Sequence, residues 1–164
     1  MVRAVYPGTF DPVHNGHLDI IQRASVLFDE LVIGVFDHAA AGKKIKKVVF
    51  SAETRIQFIE ENTQHLSNVC VIPYNKLTVD LARDVEAKVI VRGLRVFSDF
   101  EFEFRMALAN QRLASDIDSV TLMAREEHTF LSGTTVREIA AFGGDVSTMV
   151  PPNVEVALNK VNGH

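Results

Sequence analysis

This chain has a single cysteine, Cys70, so no intrachain disulfide can form, which fits a reducing compartment. Cys70 lies in the apolar run NVCVIPY (68–74) and reads as a small buried hydrophobe. No stretch of about 18 apolar residues exists, which argues against a transmembrane helix. The first residues, MVRAVYPG, lack the apolar core of a secretory signal. A soluble, cytoplasmic protein without a membrane partner is therefore expected. Excess positive charge is missing too. Seventeen Lys and Arg against 21 Asp and Glu leave a formal net charge of −4, a poor match to a general nucleic-acid binder. Both G-x-G-x-x-G and G-x-x-x-x-G-K-[ST] are absent, so neither a dinucleotide-binding loop nor a Walker P-loop is supported. Repeats, low-complexity tracts and an evident linker are lacking as well. The 164 residues are accordingly expected to form one domain, 1–164.

What is present is an alternation of two patterns. Short β-branched runs occupy 3–7, 30–36, 68–74, 88–93 and 118–124. Helical patterns occupy 17–28, 51–66, 78–87, 132–144 and 151–161. Leu18, Ile21, Ala24 and Phe28 share one helical face, as do Ala52, Ile56, Ile59 and Leu66. Ser51 suits an N-cap, and Pro151 and Pro152 suit a helix start. Residues 98–114 carry two signals. Phe100, Phe102 and Phe104 alternate like a strand, whereas a Ser98/Glu101 capping box and an Ala- and Leu-rich tail favour helix, which we adopt. This alternation predicts an α/β fold, a Rossmann-like five-stranded parallel sheet with helices on both faces and a helical C-terminal segment from about residue 132. Such sheets bind ligands beyond the carboxyl ends of their strands.

One stretch sits at such an end. YPGTFDPVHNGHLDII (6–21) joins the first strand to the first helix. Gly8 and Gly16 allow close backbone approach, and Asn15-Gly16 is a turn signal in which Asn15 also suits a helix cap. His17 then falls in the first helical turn, where free N–H groups and the helix dipole favour phosphate. An imidazole there can donate to a phosphoryl oxygen as charge moves in a transition state. Taken alone, His14 and His17 also fit polar surface caps, or a metal pair with Asp11. No further dense His/Asp/Glu cluster completes a metal set.

These residues resemble the T/H-x-G-H signature of the nucleotidyltransferase superfamily. VRGLRVFSDFEFE (91–103), LSGTTVRE (131–138) and GGDVSTMVPPNV (143–154) extend the likeness over nearly the whole chain. Together they resemble the bacterial phosphopantetheine adenylyltransferases. The resemblance implies transfer of the adenylyl group of ATP to 4′-phosphopantetheine, giving dephospho-coenzyme A and pyrophosphate in coenzyme A synthesis. It implies Mg²⁺ arriving with ATP, no dedicated metal ligands, a homohexamer, and coenzyme A as a feedback inhibitor. Another nucleotidyltransferase, such as one adenylating nicotinate mononucleotide, and a non-catalytic nucleotide sensor are the alternatives.

By the same resemblance His17, Lys43 and Arg92 are catalytic. Thr9, Phe10, His17, Gly93, Leu94, Arg95 and Glu103 are expected at ATP, with His128, Thr129, Phe130, Leu131, Ser132, Gly133 and Thr134 gripping its phosphates. Thr9, Lys43, Thr78 and Arg92 are expected at the acceptor, with Lys46 an alternative to Lys43. His14 is expected to shape the loop or touch phosphate. Gly133 stands where the family usually has the second of two serines.

Overall fold

A computed structural model describes residues 1–42 and 48–164. Five strands, β1 (Arg3–Gly8), β2 (Glu30–Phe36), β3 (Val69–Tyr74), β4 (Val89–Leu94) and β5 (Asp118–Met123), form one parallel sheet in the order β3-β2-β1-β4-β5. The helices are α1 (Asn15–Leu27), α2 (Ala52–Thr63), α3 (Thr78–Asp84), α4 (Phe97–Leu113), α5 (Gly133–Ala141) and α6 (Pro152–Asn162), with a short 3-10 turn at Glu126–His128. The expected α/β architecture is the observed one. The ambiguous segment is helical.

Burial follows from this layering. One cluster packs Ile20, Ile21 and Ala24 of α1, Phe58 and Ile59 of α2, and Val136 and Leu158 of α5 and α6 against one sheet face. A second packs Val79, Leu81 and Ala82 of α3 against Val5, Val32 and Ile90 on the other face. Central strands are thus apolar on both faces, as parallel sheets require.

Some local expectations need correction. Cys70 is exposed, not buried. It lies on the edge strand β3, and the cluster on its face takes in Ile72 and Tyr74 but not Cys70. The cap of α1 is His14 rather than Asn15, whose amide instead donates to the Thr148 carbonyl at 3.0 Å. The start of α4 uses Asp99, not the Ser98/Glu101 pair; its carboxylate accepts from the N–H groups of Arg95 (3.2 Å) and Val96 (3.4 Å). Ser51 caps α2 as expected, accepting from Thr54 N at 3.2 Å.

Candidate active site

The strand order reverses between β1 and β4, and there the sheet opens. These neighbours pair only at Ala4–Val89 and Val5–Ile90. Beyond that, the Arg92 guanidinium spans the gap, donating from Nη1 to the Pro7 carbonyl at 3.1 Å. A cavity of about 440 Å³ lies here, walled by the end of β1, the start of α1, Arg92 and Gly93 of β4, and Ser132–Thr134 at the start of α5. A smaller cavity of about 80 Å³ adjoins it. Pro7, Arg92, Phe102 and Glu103 line both; Thr78, Asn110, Ser119 and Thr121 give the smaller one its polar groups.

His14 and His17 cap α1 reciprocally. His17 N donates to His14 Nδ1 at 3.3 Å, and His14 N donates to His17 Nδ1 at 3.2 Å. Their rings stack at 3.6 Å. With each Nδ1 accepting, each neutral ring carries its proton on Nε2. Both rings are held neutral. Burial pushes His14 down to about 3, helped by the charges of Arg95 and His128. Burial, then His14, Arg95 and Arg92, push His17 well below the ordinary imidazole range. His17 is therefore a neutral donor at a helix N-terminus.

Three arginines supply positive charge around them. Arg92 is clamped by Glu103 through two bonds, Nε–Oε2 at 2.8 Å and Nη2–Oε1 at 2.9 Å. Burial works against the Arg92 charge, but the bonds and field of Glu103 outweigh it and raise its pKa. Arg95 is held by Asp99 at 3.1 Å and donates to the Leu131 carbonyl at 2.6 Å. Arg137 donates to the Asp11 carbonyl at 2.5 Å and to Thr134 Oγ1 at 3.3 Å. Ser132 caps α5 by accepting from Thr135 N at 3.0 Å. Guanidinium groups, a helix N-terminus and neutral imidazoles in one crevice are groups that can bind phosphate oxygens.

A cytidylyltransferase-like family model matches residues 5–139. A phosphopantetheine adenylyltransferase of Roseiflexus sp. strain RS-1 is 52% identical over 99% of this chain and 99% of its own length. Another, from Moorella thermoacetica, is 48% identical over 98% of this chain and 97% of its own. The chain belongs to the phosphopantetheine adenylyltransferase family. Its fold is also that of a putative nicotinate-nucleotide adenylyltransferase from Vibrio parahaemolyticus, with a TM-score of 0.72 at 18% identity, covering 100% of this chain and 98% of that one.

Against this family assignment the expected site residues sort plainly. Thr9, Phe10, His17, Arg92, Gly93, Arg95, Glu103, His128, Ser132, Gly133 and Thr134 line the main cavity. Thr78 lines the smaller one. Leu94, Thr129, Phe130 and Leu131 lie outside the wall, although the Leu131 carbonyl braces Arg95. Lys43 and Lys46 fall outside the described residues. The family resemblance passed over Arg137, Asp99 and Tyr6, which also line the crevice. Arg137 stands four residues after Gly133, one helical turn on, and that spacing was the available signal.

Proposed function

We propose that this chain transfers the adenylyl group of ATP to 4′-phosphopantetheine, the penultimate step of coenzyme A synthesis. The supporting observation is that Arg92 stands on the wall shared by the two cavities while His17 lines the larger one. ATP occupies the larger cavity, its phosphates against Arg95, Arg137 and the start of α5. The acceptor phosphate meets Arg92, and its amide-bearing arm enters the smaller cavity beside Thr78, Asn110 and Ser119. A phosphate oxygen of the acceptor attacks the α-phosphorus of ATP. The new P–O bond forms as the bond to the β-phosphate bridging oxygen breaks, and pyrophosphate leaves. With a second pKa of about 6, the attacking phosphate is already largely ionised, so no general base is needed. His17 Nε2–H donates to the α-phosphate oxygen as charge accumulates in the transition state.

Among the described residues no cluster of three or more His, Cys, Asp or Glu could hold a metal. The carboxylates of the wall, Asp11, Asp99 and Glu103, stand beside Arg137, Arg95 and Arg92, and Mg²⁺ would therefore come on the nucleotide phosphates with its own waters. Bound that way, Mg²⁺ neutralises phosphate charge. Lys43 as a further phosphate contact, a homohexameric assembly, a cytoplasmic location and feedback by coenzyme A belong to the same proposal, supported by the family assignment. Among the described residues no helix is long and apolar enough to cross a membrane.

The test is pyrophosphate release from Mg-ATP with 4′-phosphopantetheine, nicotinate mononucleotide or no acceptor. Release with 4′-phosphopantetheine alone is expected. Its absence, with ATP still bound, overturns the proposal.

A further inference from the structure

Arg55, in the first turn of α2, is 1% exposed, yet it lines neither cavity. Its guanidinium donates to three backbone carbonyls: Thr9 (2.5 Å) and Phe36 (3.0 Å) from Nη1, and Phe50 (3.0 Å) from Nε. Those carbonyls lie just past the end of β1, at the end of β2 and just before α2. The backbone just before this carbonyl is held as well. The buried Asp11 carboxylate accepts from Phe50 N at 3.0 Å and from Val49 N at 2.8 Å. Arg137 in turn holds the Asp11 carbonyl.

Burying a charge is costly, and a well-packed apolar side chain is often at least as stabilising. What an apolar residue cannot do is bind three backbone carbonyls at once. Thr9, so fixed, precedes Phe10, which is 2% exposed and holds a left-handed φ of 51°. The Phe10 ring stands edge-on to the His17 ring at 4.9 Å. A physical chain of contacts thus runs from Arg55 through Thr9 and Phe10 to the donor imidazole.

We infer that Arg55 is a positioning residue for adenylyl transfer, acting through Thr9 and Phe10 on His17. It touches no substrate. The inference rests on the reaction proposed above. Its failure is separable: without pyrophosphate release by the native chain the reaction itself is wrong, whereas the inference stands or falls on variants compared with an active native chain.

The decisive variant is Arg55→Lys. A lysine keeps the charge but offers a point donor instead of a planar fork. Turnover is measured per folded molecule, with the folded fraction read by near-ultraviolet circular dichroism and ATP affinity by calorimetry. A misplacement of about 1 Å can cost on the order of 10²-fold, so we expect kcat per folded molecule to fall at least about tenfold while ATP affinity stays within about threefold. An unchanged kcat per folded molecule, with only a lower melting temperature, overturns the inference. If Arg55→Lys does not fold, Asp11→Asn removes one of the two acceptors that hold Val49 N and Phe50 N, and so loosens the backbone next to the carbonyl that Arg55 binds. The same kcat loss with retained ATP affinity is then expected, and unchanged turnover overturns the inference.

Discussion

Two imidazoles at the start of α1 form a reciprocal cap of the kind usually built from a serine or threonine and a glutamate. The difference is that an imidazole accepts at Nδ1 only while neutral. The cap and the donor therefore depend on one protonation state. Replacing His17 with alanine removes the Nε2 donor, and kcat should fall by at least roughly 10²-fold with a much smaller loss of ATP affinity. Steady-state kinetics with calorimetric titration check this; near-native turnover contradicts it. The pH dependence has a definite sign. Both folded-state pKa values are depressed, to about 3 for His14 and to well below 6.5 for His17. Below pH 6.5 the unfolded chain binds more protons than the folded one, so stability rises with pH. This contribution is complete above pH 6.5 and is lost as pH falls toward the folded values. A threonine also caps but does not titrate. His14→Thr should therefore lose less melting temperature between pH 7 and pH 5 than the native chain does, as scanning calorimetry would show.

At the scale of elements, α5 meets the β1–α1 loop through a close contact. A Cβ added at Gly133 would stand 3.1 Å from both Arg137 Nη1 and the Asp11 carbonyl oxygen. The guanidinium thus fills the space that a serine side chain would enter. Gly133→Ser should loosen the Arg137–Asp11 bond, and Arg137→Ala removes it. Each is expected to cost about 0.5–3 kcal/mol of stability, and the double variant less than their sum, because they disturb one contact. Denaturant midpoints measure this; strict additivity would uncouple the two residues. The start of α2 has similar logic. Its stripe of Ala52, Ile56 and Ile59 was legible from spacing, but nothing local marks Arg55 for burial, which follows from the carbonyls of three chain segments converging on it.

At the scale of the molecule, the edge formed by β5 and α4 is unfinished in a single chain. No residue of α4 is buried. Phe97 is 92% exposed, and its ring lies 6.5 Å from that of Phe100, which in turn lies 5.8 Å from Phe104. An exposed apolar face of this kind suits an association surface. The proposed homohexamer predicts a light-scattering mass about six times that of one chain. Glutamate at Phe100 and Phe104 together should lower that mass. A native monomer at micromolar concentration contradicts the assembly.

The sequence by itself determined what local chemistry can encode. The alternation of strands and helices specified the parallel sheet, because strands buried on both faces read as continuous apolar runs between helices of period 3.6. The stretch from Tyr6 to Ile21 marked the candidate site, because glycines, a turn and a helix start carry their conformational preferences with them. Tertiary structure alone decided the rest. Cys70 is exposed because β3 came to lie at an edge, and Arg55 is buried because β1 and β2 end, and α2 begins, at one point. Glu103 belongs to Arg92, eleven residues earlier, because α4 folds back over β4. Each of those facts depends on which distant segments meet, and no local preference contains it.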